Sequence, residues 1–206
     1  LLDRLPRLPP GREREDVLRD LIHGILCSPL GEADAEAEAM AWVQHALDRS
    51  KAIDGDLSSI YEGLALGFLE RGMLAKASET IRRITQLTDR DRAYDRLIRA
   101  WIAYQQPQQA LLALYEITQP DKRAEMATWL SLQPPVARDP IAASLLCQQA
   151  ASLPSVSLAI LRNLATHPEL PPMALAPLLS ASSDENPTHW ARRERLLQLQ
   201  RLRPYL

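Results

Sequence analysis

Arg92, Arg96 and Arg99 stand at i, i+4 and i+7, so on a helix they share one face. Three guanidinium forks in a row suit bidentate contact with acidic side chains or with a chain-terminal carboxylate. The same residues also suit a plain solvated face. Asp95 stands four residues before Arg99, and an exposed pair of that kind contributes only about 0.3 kcal/mol. A second basic cluster closes the chain in WARRERLLQLQRLRPYL, where Arg192, Arg193, Arg195, Arg201 and Arg203 face a single acid, Glu194. Beside them Leu196, Leu197, Leu199 and Leu202 form a partial apolar stripe. This segment reads either as a capping helix with solvated arginines or as a surface for a nucleic-acid backbone, an anionic membrane or another protein's helix.

Other chemistry is poorly represented. His23, His45, His167 and His189 are scattered, and none has a second ligand at i+3 or i+4, the spacing a helical zinc site needs. No serine nucleophile elbow, paired catalytic carboxylates or Cys-His signature occurs as a local motif. All seven glycines lie at or before Gly72, and Gly63, Gly67 and Gly72 match neither a phosphate-cradling loop nor a dinucleotide fingerprint. No metal, cofactor or catalytic residue is therefore expected. Cys27 and Cys147 lie in apolar stretches, LIHGILC and AASLLC, which predicts small buried thiols rather than a disulfide. The acidic run GEADAEAEAM places Glu32, Asp34, Glu36 and Glu38 at the start of an Ala-rich helix, where they suit the helix dipole and solvent.

Composition bounds the class. In 206 residues, 46% hydrophobic and 24% charged is the balance of a folded protein rather than a disordered one. A net charge of -2 supplies no general attraction to nucleic acid, so nucleic acid is an unlikely partner. No run of about 18 apolar residues predicts a membrane span, and no basic-then-apolar start predicts a signal peptide. The first residues, Leu1-Leu2 rather than Met, are expected of a trimmed or processed chain or of a domain of something larger. A cytoplasmic location is the expectation that follows. Lys51, Lys76 and Lys122 are the only lysines, an arginine bias typical of a GC-rich bacterial genome.

Punctuation falls to proline. Pro29, Pro107, Pro120, Pro134, Pro135, Pro140, Pro154, Pro168, Pro171, Pro172 and Pro187 mark short helices with tight connections. Between them apolar residues recur at helical spacing, as in Leu64, Ala65, Phe68 and Leu69, and no strand-like runs occur. The pattern predicts an all-α chain of about eleven helices, near 12–27, 33–51, 56–71, 74–87, 90–105, 107–118, 121–132, 139–151, 155–166, 172–181 and 187–202.

ITQLTDRDRA at 84–93 and ITQPDKRA at 117–124 begin alike, and an offset of 33 aligns the stretches before them. Tyr61 meets Tyr94, Leu64 meets Leu97, Ala65 meets Ile98, Phe68 meets Trp101, Ala77 meets Ala110, Ile81 meets Leu114 and Ile84 meets Ile117. The unit is a helix hairpin of the length found in stacked helical repeats. Tyr61, Leu64, Ala65, Phe68, Gly72, Ala77, Ile81 and Ile84 together resemble the tetratricopeptide repeat. The second copy keeps the pattern except at Ile98, where the family prefers a small residue, and at Gln105, where it prefers Gly. The closing proline is replaced by Asp89 in the first copy and displaced to Pro120 in the second.

The resemblance implies a right-handed α-solenoid of antiparallel hairpins whose first helices line a concave groove for another polypeptide. Two repeats would occupy 56–121, with a helical capping region at 1–55 and degenerate repeats plus a capping helix at 122–206. In that last part Ala143, Cys147 and Ala150 would face neighbouring helices. It further implies groove-facing side chains at Ser59, Glu62, Leu66 and Leu69, and at Arg92, Asp95, Arg96, Arg99 and Ile102. Chaperone-binding members complete a carboxylate clamp with a lysine and an asparagine where this chain has Glu62 and Leu66. The expected function is a non-enzymatic scaffold or adaptor for a protein or peptide partner, with self-association possible. The alternative is a regulatory module that binds nucleic acid or a membrane surface through its last helix.

Overall fold

The computed structural model describes residues 58–167 together with Asp20, Leu170 and Ala174. Eight α-helices and no strand occur among the described residues: α1 (Ser58–Glu70), α2 (Leu74–Ile81), α3 (Leu87–Ala103), α4 (Pro107–Leu114), α5 (Pro120–Ser131), α6 (Pro134–Arg138), α7 (Pro140–Ala151) and α8 (Pro154–Ala165). The expected helices at 12–27, 33–51, 172–181 and 187–202 lie outside the described residues. The chain divides into two compact units, residues 1–100 and 101–206, and the division falls within the continuous helix α3.

The repeat is visible in the helix bounds themselves. α1 ends at Glu70 and α3 at Ala103; α2 spans Leu74–Ile81 and α4 Pro107–Leu114; α3 starts at Leu87 and α5 at Pro120. Each of these bounds recurs after 33 residues. The corner that ends α1 recurs too. Gly72 N–H donates to the Leu69 carbonyl at 3.0 Å and Met73 N–H to the Phe68 carbonyl at 2.9 Å. At the end of α3, Gln105 N–H donates to Ile102 at 3.0 Å and Gln106 N–H to Trp101 at 2.9 Å. This pair of bonds caps the last carbonyls of a helix and requires one left-handed residue. Gly72 supplies it at φ 70° and Gln105 at φ 58°.

A side chain with a Cβ is disfavoured in that conformation. Gln105→Gly is therefore expected to stabilise the fold by about 0.5–1 kcal/mol, read as a higher midpoint in urea at unchanged slope. A loss of stability would show that the Gln105 side chain has a role of its own.

α2 and α4 end earlier than the apolar spacing suggests. The expected helices 74–87 and 107–118 stop at Ile81 and Leu114 because the chain tightens there. Ile84 N–H donates to Ile81 and Ile117 N–H to Leu114, three residues back rather than four. That turn returns Ile84 and Ile117 to the core as buried connection residues. In the second unit, Arg123 Nε (2.9 Å) and Nη2 both donate to the Ile117 carbonyl that the turn leaves without a helical partner.

Within the first unit α1 packs against α2, closing over Ile60, Leu64, Ala65, Phe68, Leu74, Ala77 and Ile81. Ser58 adds a polar tie at the start of α1. Its hydroxyl accepts the Thr85 and Gln86 N–H groups at 3.1 and 3.2 Å and lies 2.9 Å from Thr85 Oγ1. These amides stand just before α3, where a helix N-terminus needs acceptors.

In the second unit α7 is the central element, packed by α4, α5, α6 and α8. Its Ala142, Ala143, Leu146, Cys147, Gln149 and Ala150 are buried, which agrees with the expected inward positions of Ala143, Cys147 and Ala150. Small residues on several sides let four neighbours approach one helix. Asp139 caps it: Oδ1 accepts from Ile141 N–H at 2.9 Å and Ala142 N–H at 3.1 Å, with Pro140 at the first helical position. Asp139 Oδ2 also accepts from Gln108 Nε2 of α4 at 2.9 Å, and Gln149 Nε2 donates to the Leu111 carbonyl at 2.8 Å. Asn163 of α8 donates to Ser131 Oγ of α5 at 2.8 Å. The short helix α6 is an addition to the expected set. Pro134 and Pro135 have no N–H to lose at a helix start, so the residues that break α5 also begin α6.

Candidate functional site

The site is built from α1 and from the part of α3 that belongs to the first unit. On α3 the core stripe is Ala93, Tyr94, Leu97 and Ile98, all buried. Phase then places Arg92, Arg96 and Arg99 away from that stripe, and all three are exposed, at 54%, 44% and 47% of the side chain. The shared face read from the i, i+4, i+7 spacing is therefore present.

Each guanidinium meets an acid. Arg99 Nε donates to Asp95 Oδ1 at 2.9 Å, one turn back along α3. Arg92 Nη1 is 3.5 Å from Asp89 Oδ1. Across from α1, Glu62 Oε1 stands 3.9 Å from Arg92 Nη1 and 4.0 Å from Arg96 Nη1. Glu62 is the buried member of this group, with 9% of its side chain exposed. Burying a carboxylate is costly unless cations accompany it, and two exposed arginines meet that requirement. The two distances exceed hydrogen-bond length, so the contact neutralises charge without saturating the guanidinium donors.

The remaining expected site residues divide. Leu66 and Leu69 are half-buried on α1, and Asp95 is half-buried on α3. Ile102 is only 6% exposed and is a core residue, not a groove side chain. It lies four residues after the fully buried Ile98, which puts it on the inward stripe. Ser59 in α1, and Arg192, Arg193, Arg195, Arg201 and Arg203 near the chain end, have side chains outside the described residues. Asp89 lies outside the expected set, although its i, i+3 spacing to Arg92 is plain in the residues. The link from Glu62 to Arg92 and Arg96 spans two helices, and no local spacing announces it.

Among the described residues no group of three or more His, Cys, Asp or Glu could hold a metal ion, and no helix is long and apolar enough to cross a membrane. Among the described residues the arrangement is a set of paired charges on α1 and α3, with Leu66 and Leu69 half-buried on α1. No family model, characterised protein or solved structure matches the chain.

Proposed function

We propose that this chain is a non-enzymatic helical-repeat scaffold of tetratricopeptide type, a right-handed stack of hairpins that binds a partner polypeptide along its first helices. The observation that carries this reading is the recurrence, after 33 residues, of helix bounds and of the left-handed corner at Gly72 and Gln105. A chain that repeats backbone geometry at this period builds a surface from equivalent helix faces, and repeat proteins use such surfaces for recognition. The binding residues are Glu62, Leu66 and Leu69 of α1 and Arg92, Asp95, Arg96 and Arg99 of α3. Exposed guanidinium groups on α3 and partly covered leucines on α1 offer the polar and apolar contacts from which transient interfaces are made.

The test is affinity capture from native lysate with the wild-type chain and an Arg92→Gln, Arg96→Gln, Arg99→Gln variant of equal helical content. A partner held by the first should be lost by the second, with at least about a tenfold fall in recovery. A partner retained equally by both would remove this face from the function.

A further inference from the structure

The arginine ladder taken alone points to an acidic partner, but its surroundings oppose that assignment. Among the described residues three guanidinium groups on α3 are met by three carboxylates, Glu62, Asp89 and Asp95, so these six side chains carry no surplus charge. Glu62 differs from the other two in being buried, and it lies within 4.0 Å of both Arg92 and Arg96. A fixed charge in that position cannot swing away into solvent when a ligand arrives. An incoming carboxylate seated on Arg92 and Arg96 would gain two cations at close range and meet the buried anion already paired with both. The donors of Arg92 and Arg96 are nevertheless not taken up by Glu62, since 3.9 and 4.0 Å are too long for hydrogen bonds.

We propose that Glu62 is a specificity-determining residue of this face: it neutralises Arg92 and Arg96 from a buried position, excludes acidic segments, and leaves the guanidinium N–H groups to uncharged acceptors. The partner segment that fits is an electroneutral one, offering main-chain carbonyls or amide side chains to the arginines and an apolar side chain toward Leu66 and Leu69. This inference rests on the partner-binding reading of the face and assigns the chemistry of what binds. One unit charge about 6 Å from the ligand's carboxylate, screened at an exposed face to an effective dielectric of about 40, changes affinity by about tenfold.

A displayed library of random peptides separates the possibilities when panned on three folded proteins: wild type, Glu62→Gln, and Glu62→Gln with Arg92→Gln and Arg96→Gln. Wild-type pools should show no enrichment in Asp or Glu. Glu62→Gln pools should become acidic, their synthetic hits should bind Glu62→Gln about tenfold more tightly than wild type, and the triple variant should lose them. Acidic hits that bind wild type and Glu62→Gln equally, and that need Arg92 and Arg96, would overturn the role of Glu62 and leave the binding face standing. Hits on any of the proteins that tolerate loss of both arginines would overturn the binding face together with the inference. Circular dichroism on each variant checks that the helices are retained.

Discussion

Leu97→Ala is expected to destabilise the chain by about 3 kcal/mol, lowering Tm by roughly 6–12 °C. Leu97 is fully buried on α3 and occupies the repeat position that Leu64 holds on α1. Truncation removes the transfer free energy of the lost methyl groups and leaves a cavity that packed helices close only in part. Leu112→Ala on α4 is the control, since that leucine is exposed and its loss should change stability by less than about 0.5 kcal/mol. Equal effects at the two positions in urea melts would mean that the helical phase assigned to the repeat is wrong.

Cys147 supplies the second large effect. Its thiol is fully buried on α7, and burial pushes its pKa from 9.0 up to about 12. Only the thiolate attacks an alkylating reagent, so at pH 8 the folded chain should react at Cys147 about a thousandfold more slowly than the urea-unfolded chain. Peptide mapping of the carbamidomethylated residue reads this site separately from Cys27. The linkage has a definite sign. The folded pKa is the higher one, so below pH 9 the thiol is neutral in both states and costs nothing. Above pH 9 the unfolded chain loses the proton first, and stability falls by about 1.4 kcal/mol per pH unit until about pH 12. Native labelling at pH 8 as fast as in urea would contradict the central, enclosed position of α7.

How much was legible in the residues depended on how local the deciding physics is. Helix identity was, because apolar periodicity and proline starts are properties of neighbouring residues: Pro107, Pro120, Pro140 and Pro154 each open a helix. Helix ends were less so. Ile84 and Ile117 continue the apolar rhythm of α2 and α4, and only the tightened turns reveal them as connections that fold back inward. Gln105 departs from the glycine of the first copy, yet the backbone keeps the left-handed corner, so the fold is more regular than the residues that encode it.

The site follows the same division. The common face of Arg92, Arg96 and Arg99 comes from their spacing along one helix. Ile102 sits at the edge of that face, where a small rotation decides between surface and core, and Ile98 beneath it decides for the core. Glu62 required two helices to be brought together, as did the ties from Gln149 to Leu111 and from Asn163 to Ser131.

Recognition along α1 and α3 can be read directly by placing a photo-crosslinking amino acid at one position at a time and irradiating the protein in its native lysate. One partner band is expected from positions 66 and 99, on α1 and α3, and none from position 83, an exposed residue that follows α2. Crosslinks that arise from position 83 and not from 66 or 99 would contradict a recognition surface on the first helices of the repeats.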